Sequence, residues 1–507
     1  MVFPVWLLAH PAWAALEPYH TTPFDRLRSF VGIFLLAGIA WVISENRKAI
    51  PWRTAAWGIG LQLIFGAVVL SPAVSHLFFI VVNTGVDKLL SFSGDGATFV
   101  FQSIEPHYIT MADGTQKLIQ GDISPPVKTF AFWILPTIIF FSSLMSVLYY
   151  YGVMQVVVAW IARIMVKTLG TSGAESLSAA GNIFVGQTEA PLLVKPFVGT
   201  MTRSELMAVM VGGFATVSGG VLGAYVGFLH DIPNIAGHLV TASVISAPAA
   251  LACAKLMVPE TEESQTAGEV KVAFPKTARN GIEAAATGAR DGMNLALNVA
   301  AMLIAIVALV AMFNWAVGFV PVAFCKDGTT AFGYQCTRPA AALGIDPAAA
   351  KAALDAGKHF VSNNGISVLA VNAQTGMATI ASDPLSLSRI LGWLFAPIAF
   401  IMGVPWGETL VVGQLLGEKI VLTEFIAYID LGQLVDKATP VLSDRGAVIS
   451  SYALCGFANF ASIGIQIGGI GGIAPKRIGD LASLGFKAMI AGVIAACMTG
   501  AVAGVML

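Results

Sequence analysis

Seven stretches of this chain are apolar over roughly the 20 residues that a helix needs to cross a bilayer. They lie at about 30–44, 54–72, 128–150, 205–229, 237–257, 296–319 and 486–507. An eighth, about 445–473, is apolar but rich in Gly, Ser and Asn. Two more, about 174–198 and 404–428, are apolar yet hold Glu, Gln and Thr, and read as re-entrant segments. Composition agrees. The chain is 56% hydrophobic and 11% charged, against about 25% charged in a soluble domain. A net charge of -1 leaves no electrostatic footprint for a nucleic acid. The expected fold class is an all-α polytopic protein of the lipid bilayer with eight transmembrane helices.

Lys and Arg in the loops set orientation. Arg47, Lys48 and Arg53 follow the first span, and Arg163 and Lys167 the third. Lys271, Lys276 and Arg279 precede the span at 296, and Lys476, Arg477 and Lys487 the last. With eight crossings all fall on one face, expected to be cytoplasmic, and both termini are then external. The stretch 259–279 reads as a solvated cytoplasmic linker. The apolar N-terminus lacks the basic start of a signal peptide and is not expected to be one. Cys253, Cys455 and Cys497 sit in apolar runs and read as small core residues, whereas Cys325 and Cys336 sit in a polar segment and could pair.

The chain echoes itself. Gly213-Phe214-Ala215-Thr216 and Gly456-Phe457-Ala458-Asn459 each open a Gly-rich apolar run. Each follows a mixed segment with a Thr-Glu pair, Thr188-Glu189 and Thr423-Glu424. Interrupted apolar segments at matching places in two halves point to a transporter's midplane site.

The first mixed segment, GNIFVGQTEAPLLVKPF, packs Asn182, Gln187, Thr188 and Glu189 into eight residues. A carboxylate at membrane depth costs a few kcal/mol, so protein, water, substrate or ion must satisfy it. Gly186 and Pro191 argue for a broken helix whose free backbone groups also bind ligand. Glu424 supplies a second carboxylate, and Asn459 and Ser462 share one side of a helix. On their own, Asn459 and Ser462 read as interhelical glue and Phe457 as core. Together the clusters offer carboxylates, amides and hydroxyls but no basic side chain. That set suits a neutral solute rich in hydroxyls and repels an anionic nucleotide.

At these residues the sequence resembles the concentrative nucleoside transporter family, from about residue 30 onward. The stretches that carry the resemblance are GNIFVGQTEAPLLVKPF, GGVLGAY, SAPAALACAKL, LTEFIAY and YALCGFANFASIGIQIGG. It implies a homotrimer in the inner membrane that imports nucleosides such as uridine, cytidine and adenosine. It implies eight helices plus two re-entrant hairpins in inverted repeats. The expected organisation runs 1–29, an external N-terminal segment; 30–150, scaffold helices with an external insertion at 104–126; and 151–295, a first transport repeat. A scaffold helix at 296–319, a second insertion at 320–383, and an external helix with the second transport repeat at 384–507 complete it. Carried over, Gln187, Thr188 and Glu189 hold the nucleobase, Glu424 holds the ribose with Asn459 and Ser462, and Phe457 packs nearby. A sodium site maps to Asn182, Val185, Gly220 and Val221, partly through backbone carbonyls.

Two positions depart from the family pattern. Relatives coupled to sodium often carry Ser where this chain has Gly220, which leaves Na+ or H+ as the coupling ion. Relatives often carry Asn where this chain has Thr423, which leaves substrate preference open. No cofactor is expected. A membrane enzyme finds no support in a metal cluster, nucleophile or phosphate loop. A nucleobase permease and an uncoupled channel stay open as alternatives.

Overall fold

A backbone in lipid must satisfy its own N–H and C=O groups, so apolar runs of this length fold as helices. The computed structural model describes residues 21–101, 107–110, 116–119, 130–268, 278–317, 335–339, 347–355, 360–361, 367–372, 377–381, 387–435 and 441–507. Helix α1 (Pro23–Val42) starts at a capping box in which Thr22 and Asp25 each accept the other's backbone N–H. Then come α2 (Trp52–Val69), α3 (Pro72–Phe101), β1 (His107–Thr110) and β2 (Gln116–Ile119), and α4 (Leu135–Tyr150) with a π-helical start at Phe130–Ile134. After α5 (Val153–Leu169), α6 (Gly173–Asn182), a 3-10 turn (Ala190–Val194) and α7 (Lys195–Val198) form the first hairpin. Helices α8 (Arg203–Ala215) and α9 (Gly219–Phe228) form one span broken at residues 216–218, followed by α10 (Ile235–Met257) and α11 (Gly281–Val317).

The second insertion holds β3 (Gln335–Pro339), α12 (Pro347–Asp355), β4 (Phe360–Val361), β5 (Ser367–Asn372) and β6 (Met377–Ala381). Helix α13 (Leu387–Met402) leads into the second hairpin, α14 (Thr409–Val421) and α15 (Glu424–Leu434). A second broken span, α16 (Asp444–Leu454) and α17 (Phe460–Ile473), precedes α18 (Ile478–Met506).

Hydrogen bonds fix which ends meet. At one end, Arg53 donates to the carbonyls of Lys167 and Thr168, and Glu45 binds Arg203 at 3.1 Å and Lys487 at 2.5 Å. Arg477 donates to the Met201 carbonyl there at 2.6 Å. The loops expected to share one basic face therefore do share one. At the opposite end, Arg26 donates to the Leu507 carbonyl at 2.9 Å, so the start of α1 and the end of α18 lie together. Eight described spans run between these ends: α1, α2, α4, α8–α9, α10, α11, α16–α17 and α18.

Helix α3 is long and apolar enough to cross a membrane, and the sequence reading has no helix there. It does not add a crossing. Its start follows the end of α2, Asn83 bonds Asn234 and the Gly237 N–H at the start of α10, and Phe101 meets Phe132 at the start of α4. Both ends and the middle thus touch the terminal end, so α3 lies along that face.

The hairpins enter from opposite ends. The first begins at the basic end, where the Gly173 N–H donates to the Thr266 carbonyl and Lys255 pairs with Glu175 at 2.7 Å. The second begins at the terminal end, where Glu408 accepts from the Ser443 N–H and hydroxyl at 3.1 Å. Their tips are linked through Asn459 and Ser462, and the opposite entries give the two halves inverted topology. Helices α8, α10 and, from Ala488 onward, α18 are buried almost throughout, whereas α3 and α11 expose apolar side chains such as Leu77, Phe99, Ile304 and Trp315.

Several expectations need correction. The all-α reading holds for the membrane body, but the insertions carry strands: β1 pairs antiparallel with β2, and β3-β6-β5-β4 form an antiparallel sheet. Short β-branched runs such as Ser-Val-Leu-Ala-Val-Asn at 367–372 suit strands outside a bilayer. The second hairpin spans 409–434 rather than 404–428, because Thr423 caps α15 and moves the turn C-terminal. Helix α11 begins at Gly281, so no boundary falls at 295, and Gly288 and Gly292 let it lie against α4. The linker 259–279 is solvated only in part. Ser264 and Thr266 each donate to Glu205 Oε1 at 2.6 Å, which docks its first half onto α8. Cys253, Cys455 and Cys497 are buried free thiols, and Cys325 of the expected Cys325–Cys336 pair lies outside the described residues.

Candidate functional site

The site assembles where each broken span turns non-helical beside a hairpin tip. Gly456, at φ 129, lets the second break pass close to the Phe214 and Ala215 backbone; a Cβ there would come within 2.6 Å of the Phe214 carbonyl. Gly213 has a matching role, since its Cβ would sit 2.8 Å from both the Gln187 Cβ and the Gln466 Nε2. The bare backbone at Gly213 admits the first hairpin tip, and that at Gly456 lets the two broken spans approach each other.

Asn459 ends the second break as the N-cap of α17, its Oδ1 accepting from the Ser462 N–H at 2.8 Å. Its Nδ2 donates to Glu424 Oε2 at 3.0 Å. The other carboxylate oxygen of Glu424 accepts from the Tyr225 hydroxyl, also at 3.0 Å. Tyr225 stacks on Tyr428 with centroids 4.4 Å apart. From Ser462 the chain of bonds continues: its Oγ accepts from Gln187 Nε2 at 3.1 Å, and Gln187 Oε1 accepts from Gln466 Nε2 at 3.0 Å. Gln466 also donates to the Met210 carbonyl. One network thus joins α9, the tip of the second hairpin, the second break, α17, the tip of the first hairpin and α8. All of these side chains are buried.

Glu189 behaves differently. It reaches into a cavity of about 760 Å³ between the first hairpin, α4 and α11, lined also by Tyr149, Val185, Gly220 and Asp291. Thr188 packs against α17 at Gly469. Phe457 lies in the second break, half-buried against the core.

Of the residues mapped to a cation site, Val185 and Gly220 share a cavity wall. Gly219 donates its N–H to the Phe184 carbonyl at 2.9 Å, which brings Val185 beside Gly220 and Val221. Asn182 ends α6 fully buried against Gly212 of α8 and donates to the Ser178 carbonyl. Its Oδ1 and the Ser178 Oγ are buried oxygens without a hydrogen-bond partner. Orphaned oxygens of this kind suit a hard cation.

Three residues escape the sequence reading. Gln466 lies one helical turn beyond Ser462, and that i, i+4 spacing is present in GFANFASIGIQIGG. Tyr225 ends the GGVLGAY stretch as its only polar side chain. Lys419 is a base on the same hairpin as Glu424 that lies near it but bonds outside the network. It is fully buried in the second hairpin and donates to the Ala453 carbonyl at 3.0 Å.

Three family models match along the chain. They are "Na+ dependent nucleoside transporter N-terminus" over residues 31–104, "Nucleoside recognition" over 131–231 and "Na+ dependent nucleoside transporter C-terminus" over 238–504. The chain belongs to the concentrative nucleoside transporter family. It is therefore a membrane transporter and not an enzyme. An uncharacterized transporter of Bacillus subtilis (strain 168) is 37% identical over 479 residues, covering 94% of this chain and 98% of the relative. Sodium/nucleoside cotransporter 1 of Rattus norvegicus is 36% identical over 495 residues, 95% of this transporter and 64% of that longer protein. Among solved structures, CNTnw in an inward-facing substrate-bound state aligns with TM-score 0.73 at 37% identity, over 95% of this transporter and 98% of that chain. A CNTnw variant in an outward-facing state aligns with the same TM-score of 0.73, at 37% identity over 95% of this transporter and 97% of that chain. The fold of this family is thus compatible with both ends of an alternating-access cycle.

Proposed function

We propose that this transporter is a cation-coupled symporter that carries nucleosides such as uridine, cytidine and adenosine into the cell by alternating access. Gln187, Thr188 and Glu189 hold the nucleobase, and Glu424 holds the ribose with Asn459 and Ser462. Phe457 packs beside the bound solute. The network from Tyr225 through Glu424, Asn459, Ser462 and Gln187 to Gln466 carries this reading. It couples both hairpin tips to both broken spans, so a solute that takes over its bonds draws the four elements together. Its members already bond one another, so the solute must replace those bonds. A carboxylate and two amides match ribose hydroxyls and a base edge, because charge-assisted bonds are roughly twice as strong as neutral ones.

Sodium is the first candidate for the coupling ion, held by Asn182 and by the backbone near Val185, Gly220 and Val221. The partnerless Asn182 Oδ1 supports this. Gly220 withholds the hydroxyl that a Ser would add, which keeps proton drive in play. The transporter works as a homotrimer in the inner membrane, with the basic end cytoplasmic and both termini external. The exposed apolar faces of α3 and α11 support contact with lipid and with neighbouring protomers.

Purified protein in proteoliposomes tests the reading through uptake of labelled uridine and adenosine, with sodium and proton gradients imposed separately. Accumulation against a nucleoside gradient supports it. Transport that only equilibrates uridine, whatever ion gradient is imposed, removes the coupling.

A further inference from the structure

The second hairpin contains a pair of acids that the nucleoside network does not use. Glu418 lies on α14 four residues before the turn, with 2% of its surface exposed. Gln414 Nε2 donates to its Oε1 at 3.0 Å. Its Oε2 is buried and receives no hydrogen bond from a donor. Asp430, on the facing arm α15, and Ser388, in the first turn of α13, neighbour the Glu418 carboxyl.

Two neighbouring carboxylates, Glu418 buried and Asp430 half-buried, repel each other when both are ionised, and a proton held between them relieves that repulsion. Most other charged groups on the described elements packed around the pair are bonded elsewhere. Lys419 turns to the Ala453 carbonyl, Glu424 to Tyr225 and Asn459, and Glu408 to Ser443. On α16, Arg445 donates to the carbonyls of Gly403 and Gly504, and Asp444 sits in the exposed first turn. On α13, Arg389 follows Ser388 and has a partner of its own, and α9 carries no charge. A proton shared between the two carboxyls satisfies the bare Oε2 and removes one charge.

We propose that Glu418 and Asp430 form a proton-binding carboxyl pair in the second hairpin, a coupling-ion site separate from the one at Asn182. This rests on reading the chain as a coupled symporter. The pair rides on a hairpin whose tip holds Glu424, so binding a proton there and binding a nucleoside at the tip act on the same moving element. The proton enters on one carboxyl, is shared with the other, and leaves the same pair on the far side. No bond other than O–H forms or breaks.

Two readouts test it on the intact, reconstituted transporter. The first is steady-state uridine accumulation with and without an acid-outside gradient. One coupled proton raises accumulation about tenfold per pH unit, since tenfold corresponds to one pH unit of free energy. That ratio is expected to fall to about one in both E418Q and D430N, and taking a ratio removes any loss of folded protein. The second is infrared difference spectroscopy of pH-jumped protein. It is expected to show a protonated-carboxyl band in the unmodified protein that E418Q removes, and it needs no transport. A pH-gradient ratio unchanged in both variants overturns the proposal. So does sodium-driven uridine uptake in the unmodified protein that ignores the pH gradient, which leaves the nucleoside reading standing. If uridine is not transported under any gradient, the nucleoside reading fails, and the infrared band alone decides whether the pair holds a proton.

Discussion

Asn459 donates its side-chain amide to Glu424 Oε2 at 3.0 Å, tying the tip of the second hairpin to the break of the second span. The same side chain caps α17 through its carbonyl oxygen. One residue therefore both caps a helix and holds the hairpin tip, and substitutions can separate the cap from the proposed binding role.

Asn459→Asp keeps the oxygen that caps α17 but sets a second carboxylate against Glu424. Asn459→Ala loses both contacts, and the lost cap alone costs about 1 kcal/mol. The expected result is a thermal midpoint for Asn459→Asp above that of Asn459→Ala, together with uridine binding at least about tenfold weaker than in the unmodified protein. Thermal-shift assays and calorimetric titration measure both. Uridine binding to Asn459→Asp at full strength would remove Asn459 from the site.

Gly220 lies on the cavity wall, and a Cβ added there meets only the Ser218 Oγ, at 3.8 Å. Gly220→Ser therefore fits without strain and adds an oxygen beside Val185. Uptake measured against sodium concentration is expected to shift to a lower half-saturating concentration. An unchanged sodium dependence would place the cation elsewhere.

Gln466 holds Gln187 in place and is anchored on the Met210 carbonyl. Gln466→Leu removes both donations and leaves Gln187 Oε1 buried without its donor, a cost of about 1–3 kcal/mol. The affinity for uridine is expected to fall more than the affinity for ribose. Equal losses for the two ligands would show that Gln187 does not contact the base.

Glu45 sits in the loop between α1 and α2, where hydrogen bonds from Arg203 and Lys487 outweigh partial burial and hold its carboxyl below the ordinary glutamate range. A lowered folded-state value means stability that is present above the unfolded value and lost as pH falls through the folded one. The unmodified protein is expected to melt above Glu45→Gln at pH 7, and the gap should close below about pH 4. Melting curves recorded across that range check the sign; a gap that widens in acid contradicts it.

Much of this arrangement is legible in the residues alone. Length and hydropathy mark the spans, and the paired Thr-Glu and Gly-Phe-Ala echoes locate the two hairpins and breaks. Loop charges put Arg47, Arg53, Lys167 and Lys487 on one end, where the fold brings these segments together. Other features depend on three-dimensional neighbours. Helix α3 is as apolar as a span, and only its contacts with Asn234 and Phe132 lay it along one face. Lys419 lies in an apolar run, and no spacing rule says that its ammonium meets the end of α16. The Glu418–Asp430 contact crosses a turn that lies several residues C-terminal of where the apolar pattern centres the hairpin, so its register is out of reach of the pattern.

The central claim is that Glu424 binds the ribose through its charge. The most direct measurement is calorimetric binding of uridine, and of the analogue lacking the contacted ribose hydroxyl, to the unmodified transporter and to Glu424→Gln. Gln keeps the shape but loses the charge, and a bond to a charged group is worth about 1.5–3 kcal/mol, or roughly ten- to a hundred-fold in affinity. The account predicts that Glu424→Gln weakens uridine by that factor, while the analogue binds poorly from the start and loses much less. Equal weakening of both ligands would contradict it and make Glu424 a structural or ion-linked residue.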